Sequence, residues 1–190
     1  KNKFLSPKPH DSWALDANDD WQAPVTYPTI TTYGSNDPLD TYLISWDEAG
    51  QKWTAVRRII VPENLVEDVQ IALGKRLSKT TIGNPSVDGV RMGSLAGNEQ
   101  KMEVREKVKE LSKSQEIVFG SLDNFDVVGA DKDKGAFISP ILFLNDDPFN
   151  KIDCHNIEAF GPVSTILPYK NIEEAIELAK MGKGSLVCSI

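Results

Sequence analysis

The chain has 190 residues, of which 40% are hydrophobic and 26% charged, a balance that allows a folded core and excludes a disordered or collagen-like protein. Its 28 acidic and 21 basic residues give a net charge of -7, which argues against a nucleic-acid or anionic-membrane surface built on bulk charge. No apolar run approaches the ~18 residues of a membrane span, and residues 1–30 lack the apolar segment of a secretory signal. With two cysteines, no disulfide framework can form, so we expect a protein of the reducing cytoplasm.

The composition changes near residue 53, which predicts two building blocks. Residues 1–53 contain all four tryptophans, five of the eleven prolines and no arginine, and their four basic and eight acidic residues give a net charge of -4. Because proline interrupts every candidate helix there, we expect turns and brief strands. Residues 54–190 show regular helix and strand periodicity instead. The predicted domains are therefore an acidic, Trp-rich N-terminal block at 1–53 and an α/β domain at 54–190.

The α/β domain begins with a strand, two helices and a second strand. RRIIV at 57–61 is rich in β-branched residues and predicts the first strand. Apolar residues that recur every four positions predict a helix from about residue 63 to residue 78. A second helix is predicted at about 98–113, and EIVFG at 116–120 predicts the next strand. The buried side of the second helix is expected to contain Met102, Val108 and Leu111.

The remainder of this domain continues the alternation. The apolar runs 136–145 and 163–169 predict strands. Asn171 followed by Glu174 is typical of a capped helix start, and that helix is expected to reach Met181. SLVCSI at 185–190 predicts a last, buried strand. Strands that alternate with helices over this length predict a largely parallel sheet with flanking helices.

Motifs that would identify self-contained chemistry do not occur. The sequence lacks the phosphate-binding loop, zinc-protease, serine-hydrolase and paired CxxC patterns. His10 and His155 are the two histidines, too few and too far apart to predict a metal site. Cys154 precedes His155, but adjacent side chains seldom face each other, and Cys188 is expected to act as a small buried hydrophobe. We therefore predict no metal centre and no cysteine nucleophile.

Residues 49–190 nevertheless contain four segments with a recognisable order and spacing. EAFGPV at 158–163 resembles the E-x-F-G-P-V motif of the aldehyde dehydrogenase superfamily. AGQKWTAVRRIIVP at 49–62 resembles the segment around that family's catalytic cysteine. The loop that follows the cysteine in that family is similar to IGNP at 82–85 together with MGSLAG at 92–97. The family's G-x-F-x-x-P-T stretch is similar to GAFISPIL at 135–142. The C-terminal sequence, EEAIELAKMGKGSLVCSI, is most similar to the aldehyde dehydrogenase part of the bifunctional ring-opening enzymes of phenylacetate degradation.

This resemblance implies a fold, a cofactor and a reaction. It implies part of an aldehyde dehydrogenase catalytic domain, which uses NAD or NADP to oxidise an aldehyde, here a possible acyl-CoA semialdehyde substrate, to a carboxylate. Glu158 takes the position that binds the hydroxyls of the nicotinamide-side ribose, and Phe160 the position that packs on the nicotinamide ring. The competing interpretation is that Glu158 only caps or pairs locally.

The sequence departs from the family at the nucleophile. Trp53 occupies the position of the catalytic cysteine, and an indole has no ionisable thiol and would fill the aldehyde pocket. We also expect the dinucleotide-binding domain, the oxyanion asparagine, the glutamate base and the oligomerising arm to be missing, since nothing at 1–48 resembles them. The sequence therefore predicts a pseudoenzyme with doubtful cofactor binding, in which restoring the cysteine alone would restore little activity.

Residues 1–53 resemble a short Trp-rich module in structural proteins of aquatic bacteriophages. That module ends on a tryptophan, so Trp53 is either a replaced catalytic cysteine or the last aromatic residue of the first block. The second interpretation indicates a chimeric chain, whereas a divergent dehydrogenase segment is the simpler alternative. The alternative function is that of a structural or interaction protein, with a protein partner bound through Trp13, Trp21 and Trp46.

Overall fold

A computed structural model describes residues 14–15, 21–22, 56–183 and 188 of the chain. The chain divides into two compact units, Lys1–Leu43 and Ile44–Ile190. In the first unit, the strands β1 (Ala14–Leu15) and β2 (Trp21–Gln22) form an antiparallel pair of two residues each. Such brief strands agree with the expectation for this Pro-rich segment. The junction predicted near residue 53 lies outside the described residues and stays a prediction.

The second unit contains a four-stranded sheet. Its strands are β3 (Arg58–Pro62), β4 (Glu116–Phe119), β5 (Ile141–Leu144) and β6 (Val163–Tyr169). They lie in the order β3-β6-β5-β4, with β6 parallel to both β3 and β5 and with β4 antiparallel to β5. The predicted fold class, an α/β domain with a largely parallel sheet, is confirmed.

Four helices accompany this sheet in the described part of the second unit. They are α1 (Val66–Leu77), α2 (Asn98–Leu111), the short α3 (Asp153–Asn156) and α4 (Ile172–Lys180). The start of α4 is capped as predicted, because the Asn171 side chain accepts a hydrogen bond from the Glu174 amide at 3.0 Å. The Glu174 carboxylate in turn accepts one from the Lys170 amide at 2.7 Å. This reciprocal pair fixes where the chain turns from β6 into α4.

The main core lies between α2 and the sheet. Val104, Val108 and Leu111 of α2 pack in one buried cluster with Phe143 of β5 and Val163 of β6. A smaller cluster joins other parts of the sheet to the last two helices, through Cys154 of α3, Leu167 of β6 and Leu178 of α4. The apolar strands β5 and β6 are thus buried, as central strands of an α/β sheet are.

Three expectations are wrong in detail. Met102 is 63% exposed, and Val104 takes the buried place because a helix turns about 200° between the two residues. The run 136–145 is a strand only at Ile141–Leu144, since Pro140 has no amide hydrogen for a sheet, although residues 136–140 are buried. The helix expected from residue 63 opens with a 3₁₀ turn, Glu63–Leu65, before α1.

The predicted strand at 185–190 lies outside the described residues except for Cys188. Cys188 is exposed and has no regular secondary structure, so the expectation that it is buried is wrong. Over the described ranges, no helix combines the length and the apolar character needed to cross a membrane.

Candidate functional site

The segments that precede the parallel strands meet at one edge of the sheet. Residues 158–162 lead into β6 and residues 135–140 lead into β5, and Ile141 pairs with Val163 where these two strands begin. The Ile141 amide also donates to the Pro162 carbonyl at 2.8 Å, which ties the two entrances together. Because parallel strands begin at the same edge, both segments lie side by side there.

The entrance to β3 lies at the same edge. The Ser164 hydroxyl donates to the Val56 carbonyl at 2.6 Å, and the Thr165 amide donates to the Arg57 carbonyl at 2.9 Å. Residue 53 precedes Val56 by three positions and lies outside the described residues.

The Glu158–Phe160 segment presents its two candidate binding groups to solvent. Ala159 is buried, whereas Glu158 and Phe160 on either side are exposed, and Phe160 is 37% exposed as a whole residue. The Gly161 amide donates to the Ala159 carbonyl at 2.7 Å and closes a tight turn. The residues fit the nicotinamide half of a dinucleotide, because an accessible carboxylate can accept two ribose hydroxyls and an accessible ring can cover a flat heterocycle.

The first turns of α2 contact the Glu158–Phe160 segment and the glycine that follows it. The Gln100 side-chain amide donates to the Phe160 carbonyl at 2.7 Å. A Cβ at Gly161 would lie 3.0 and 3.2 Å from the two methyl carbons of Val104, so glycine lets the turn pack directly on the helix. No local pattern indicates the role of Gln100, since a glutamine near a helix start is ordinary and its partner is 60 positions away.

A second polar cluster joins β3 to α3 and α4. The Arg58 guanidinium donates to the Leu178 carbonyl at 2.7 Å and to the Ala179 carbonyl at 3.2 Å. It also lies 3.1 Å from His155 Nδ1, and His155 Nε2 lies 2.8 Å from the Pro148 carbonyl. Because arginine can only donate, His155 is the neutral tautomer that donates from Nε2. Burial, with the charges of Arg58 and its neighbours, lowers the pKa of His155.

Cys154 and His155 have separate environments. The Cys154 thiol is buried and accepts a hydrogen bond from the Asn145 side chain at 3.2 Å. Burial raises the pKa of this thiol, which favours the unreactive protonated form. His155 is bonded to Arg58 and Pro148 instead, so the two residues do not form a thiolate–imidazolium pair.

The remaining candidates are only partly described. Trp13, Trp46 and Trp53 lie outside the described residues, and of Trp21 only its backbone, in β2, is described. Within the described ranges, no group of three or more His, Cys, Asp and Glu side chains could hold a metal ion.

The sequence and the fold are both similar to those of known aldehyde dehydrogenases. The 3,4-dehydroadipyl-CoA semialdehyde dehydrogenase of Aromatoleum evansii is 36% identical over 143 residues, which are 75% of this chain and 28% of that protein. Two solved structures are each 26% identical to this chain, and each match covers 70% of this chain and 26% of the chain in the solved structure. Aldehyde dehydrogenase C of Pseudomonas syringae, with NAD+ and octanal, gives a TM-score of 0.60, and betaine aldehyde dehydrogenase of Staphylococcus aureus, with NAD+, gives 0.62.

This chain therefore spans about a quarter of the length of the relatives that it matches. The sequence pattern of the aldehyde dehydrogenase family matches residues 42–190, which are most of the chain. The motif at 158–163, the largely parallel sheet and this match agree, and the chain belongs to the aldehyde dehydrogenase family.

Proposed function

We propose that residues 54–190 are part of a catalytic domain whose activity is the NAD(P)-dependent oxidation of an aldehyde to a carboxylate. The observation that carries the proposal is the exposed Glu158–Phe160 pair, held at the edge of the sheet where the parallel strands β3, β5 and β6 begin. The substrate class we propose is an acyl-CoA semialdehyde, and the name of the Aromatoleum relative supports it.

The residues of this chain have binding roles in the proposal. The Glu158 carboxylate accepts the ribose hydroxyls, and the Phe160 ring covers one face of the nicotinamide and keeps water from it. When bound, the cofactor accepts a hydride from the substrate. Whether NAD or NADP is preferred depends on contacts beyond this segment.

We further propose that the chain of 190 residues is catalytically inactive. Trp53 takes the position of the nucleophile, and its indole cannot form the covalent bond to the aldehyde carbon on which this reaction depends. An indole is also far larger than a cysteine side chain, so it would occupy space that the aldehyde needs.

The binding part of the proposal can be tested with nicotinamide mononucleotide in a saturation-transfer NMR titration. We expect signals from the nicotinamide protons with the unmodified chain, and an affinity about five- to tenfold lower for Glu158→Gln, which keeps the shape and loses the charge. Glu173→Gln removes an exposed carboxylate from the first turn of α4 and should leave the affinity unchanged. No signal, or equal effects of the two variants, would contradict the assignment of Glu158.

The second candidate function is an interaction with a protein partner through the Trp-rich block. All four tryptophans lie at 1–53, and exposed aromatic clusters are typical of protein interfaces. Tryptophan emission is a direct test, because every tryptophan signal comes from this block. Emission near that of free indole that shifts to the blue with a partner would support the interaction, whereas blue emission from the isolated chain would show that the block has its own core.

A further inference from the structure

Two adjacent side chains in the first turn of α2 bind two different loops of the candidate site. The Gln100 side-chain amide donates to the Phe160 carbonyl at 2.7 Å, and the Lys101 ammonium donates to the Gly135 carbonyl at 3.0 Å. Phe160 lies before β6, and Gly135 lies before β5. From this geometry we infer that Gln100 is a positioning residue, which fixes the Glu158–Phe160 segment in its binding conformation.

A hydrogen bond to the Phe160 carbonyl restricts the conformation of the loop directly. The peptide group that follows Phe160 includes the Gly161 amide, which donates to the Ala159 carbonyl at 2.7 Å. Gln100 holds the oxygen of the same peptide group, so both of its polar atoms are bonded. Fixing this peptide plane fixes the backbone on either side of it, and with it the direction in which the Phe160 side chain leaves the loop.

The helix also fixes how far apart the two loops lie. Successive residues of a helix point about 100° apart, which lets Gln100 and Lys101 reach separate segments from one turn. Val104, one turn later, packs against Gly161, and it is almost fully buried. The three contacts link both loop entrances to a helix that the main core already holds.

The hydrogen bond of Gln100 is the contact that can be removed without disturbing the core. The contact of Val104 with Gly161 belongs to the core, and its loss would disturb folding as well as the site. Gln100 is half-buried and its bond to Phe160 is exposed, so its replacement should leave the fold intact. The inference rests on the proposed function, because it assigns the ordered segment to cofactor binding.

The first measurement follows amide hydrogen exchange by NMR at Gly161 and at Val163, whose amide donates to the Gly161 carbonyl at 2.7 Å, in the full chain without any ligand. Gln100→Glu has the same shape but cannot donate, and we expect exchange about three- to tenfold faster at both amides, the factor typical of one lost hydrogen bond. Met102→Glu adds the same charge to the same turn at an exposed position and should change neither rate. Gln100→Lys restores a donor and should keep exchange close to that of the unmodified chain.

The second measurement is the affinity for nicotinamide mononucleotide of the same three variants. Gln100→Glu should weaken binding by about the same factor as the change in exchange, while Met102→Glu and Gln100→Lys should not. Unchanged exchange in Gln100→Glu would overturn the inference, and so would faster exchange with unchanged affinity, which would make the bond merely structural. If the unmodified chain does not bind the probe, the proposed function fails, and slow exchange that depends on a donor at residue 100 still supports the ordering of the loop by Gln100.

Discussion

Two adjacent arginines at the start of β3 are expected to contribute very differently to stability. Arg58 donates to the Leu178 carbonyl at 2.7 Å and lies 3.1 Å from His155 Nδ1, both in partly buried surroundings. Arg57 has a long contact of 3.4 Å with the His155 carbonyl. The perturbation is Arg58→Met, which keeps an unbranched apolar stem and removes the guanidinium, compared with Arg57→Met as its matched control.

The expected magnitude follows from these contacts. Hydrogen bonds that involve a charged group contribute about 1.5–3 kcal/mol each, and the two partly buried bonds of Arg58 should lie at the lower end. Burial lowers the pKa of Arg58, which shows that its charge has a desolvation cost that offsets part of the gain. We therefore expect Arg58→Met to lower the free energy of unfolding by about 2 kcal/mol, and Arg57→Met by about 0.5 kcal/mol or less.

Urea unfolding of the full chain, followed by far-UV circular dichroism, measures both values. Arg58→Met/His155→Phe removes both partners of one bond, so it should be less destabilised than the sum of its single variants. Equal losses for Arg58→Met and Arg57→Met, within about 0.5 kcal/mol, would refute the conclusion that Arg58 joins β3 to α4.

Three further predictions concern pH, a glycine and a helix cap. The pKa of His155 is lowered from its ordinary value of 6.5, so the unfolded chain binds the proton more readily than the folded one. The free energy of unfolding should therefore fall as the pH drops below about 6.5. Urea titrations between pH 5 and 7.5 should show a smaller fall for His155→Gln. Gly120 has φ +89° and an added Cβ would lie 2.0 Å from the Pro140 carbonyl oxygen, so Gly120→Ala should cost about 3 kcal/mol in the same assay, and a loss under 1 kcal/mol would contradict this. Asn171→Ala should lower the free energy of unfolding by about 1 kcal/mol through the lost cap of α4, and no change would show that the cap is dispensable.

Much of the sheet could be predicted because its signals are local. β6 covers Val163–Tyr169, the predicted run, since a mostly apolar and β-branched stretch is followed by a capped helix start. The buried loop at 136–140 could not be distinguished from a strand by hydrophobicity, although Pro140, which has no amide hydrogen, stands where β5 begins. The exposure of Met102 could have been predicted, because Val104, Val108 and Leu111 are spaced as one helix face and Met102 lies outside that face.

Some residues of the candidate site can likewise be predicted from a local motif, and others cannot. Glu158 and Phe160 could be identified from a continuous motif, but their shared exposure depends on the buried Ala159 between them. The roles of Gln100 and Arg58 depend on partners 60 and more positions distant, so no local pattern indicates them. Two consecutive charged residues at the start of an apolar strand were the one available sign that Arg58 has a buried partner.

The proposed inactivity can be tested by following the formation of NADH or NADPH at 340 nm with the purified chain. Both cofactors are supplied in turn with aliphatic and aromatic aldehydes and a CoA-linked semialdehyde. We expect no rate above the protein-free blank, because we propose that Trp53 takes the position of the catalytic cysteine. A rate that Glu158→Ala abolishes would contradict the proposed inactivity and show that this chain oxidises aldehydes without a cysteine at residue 53.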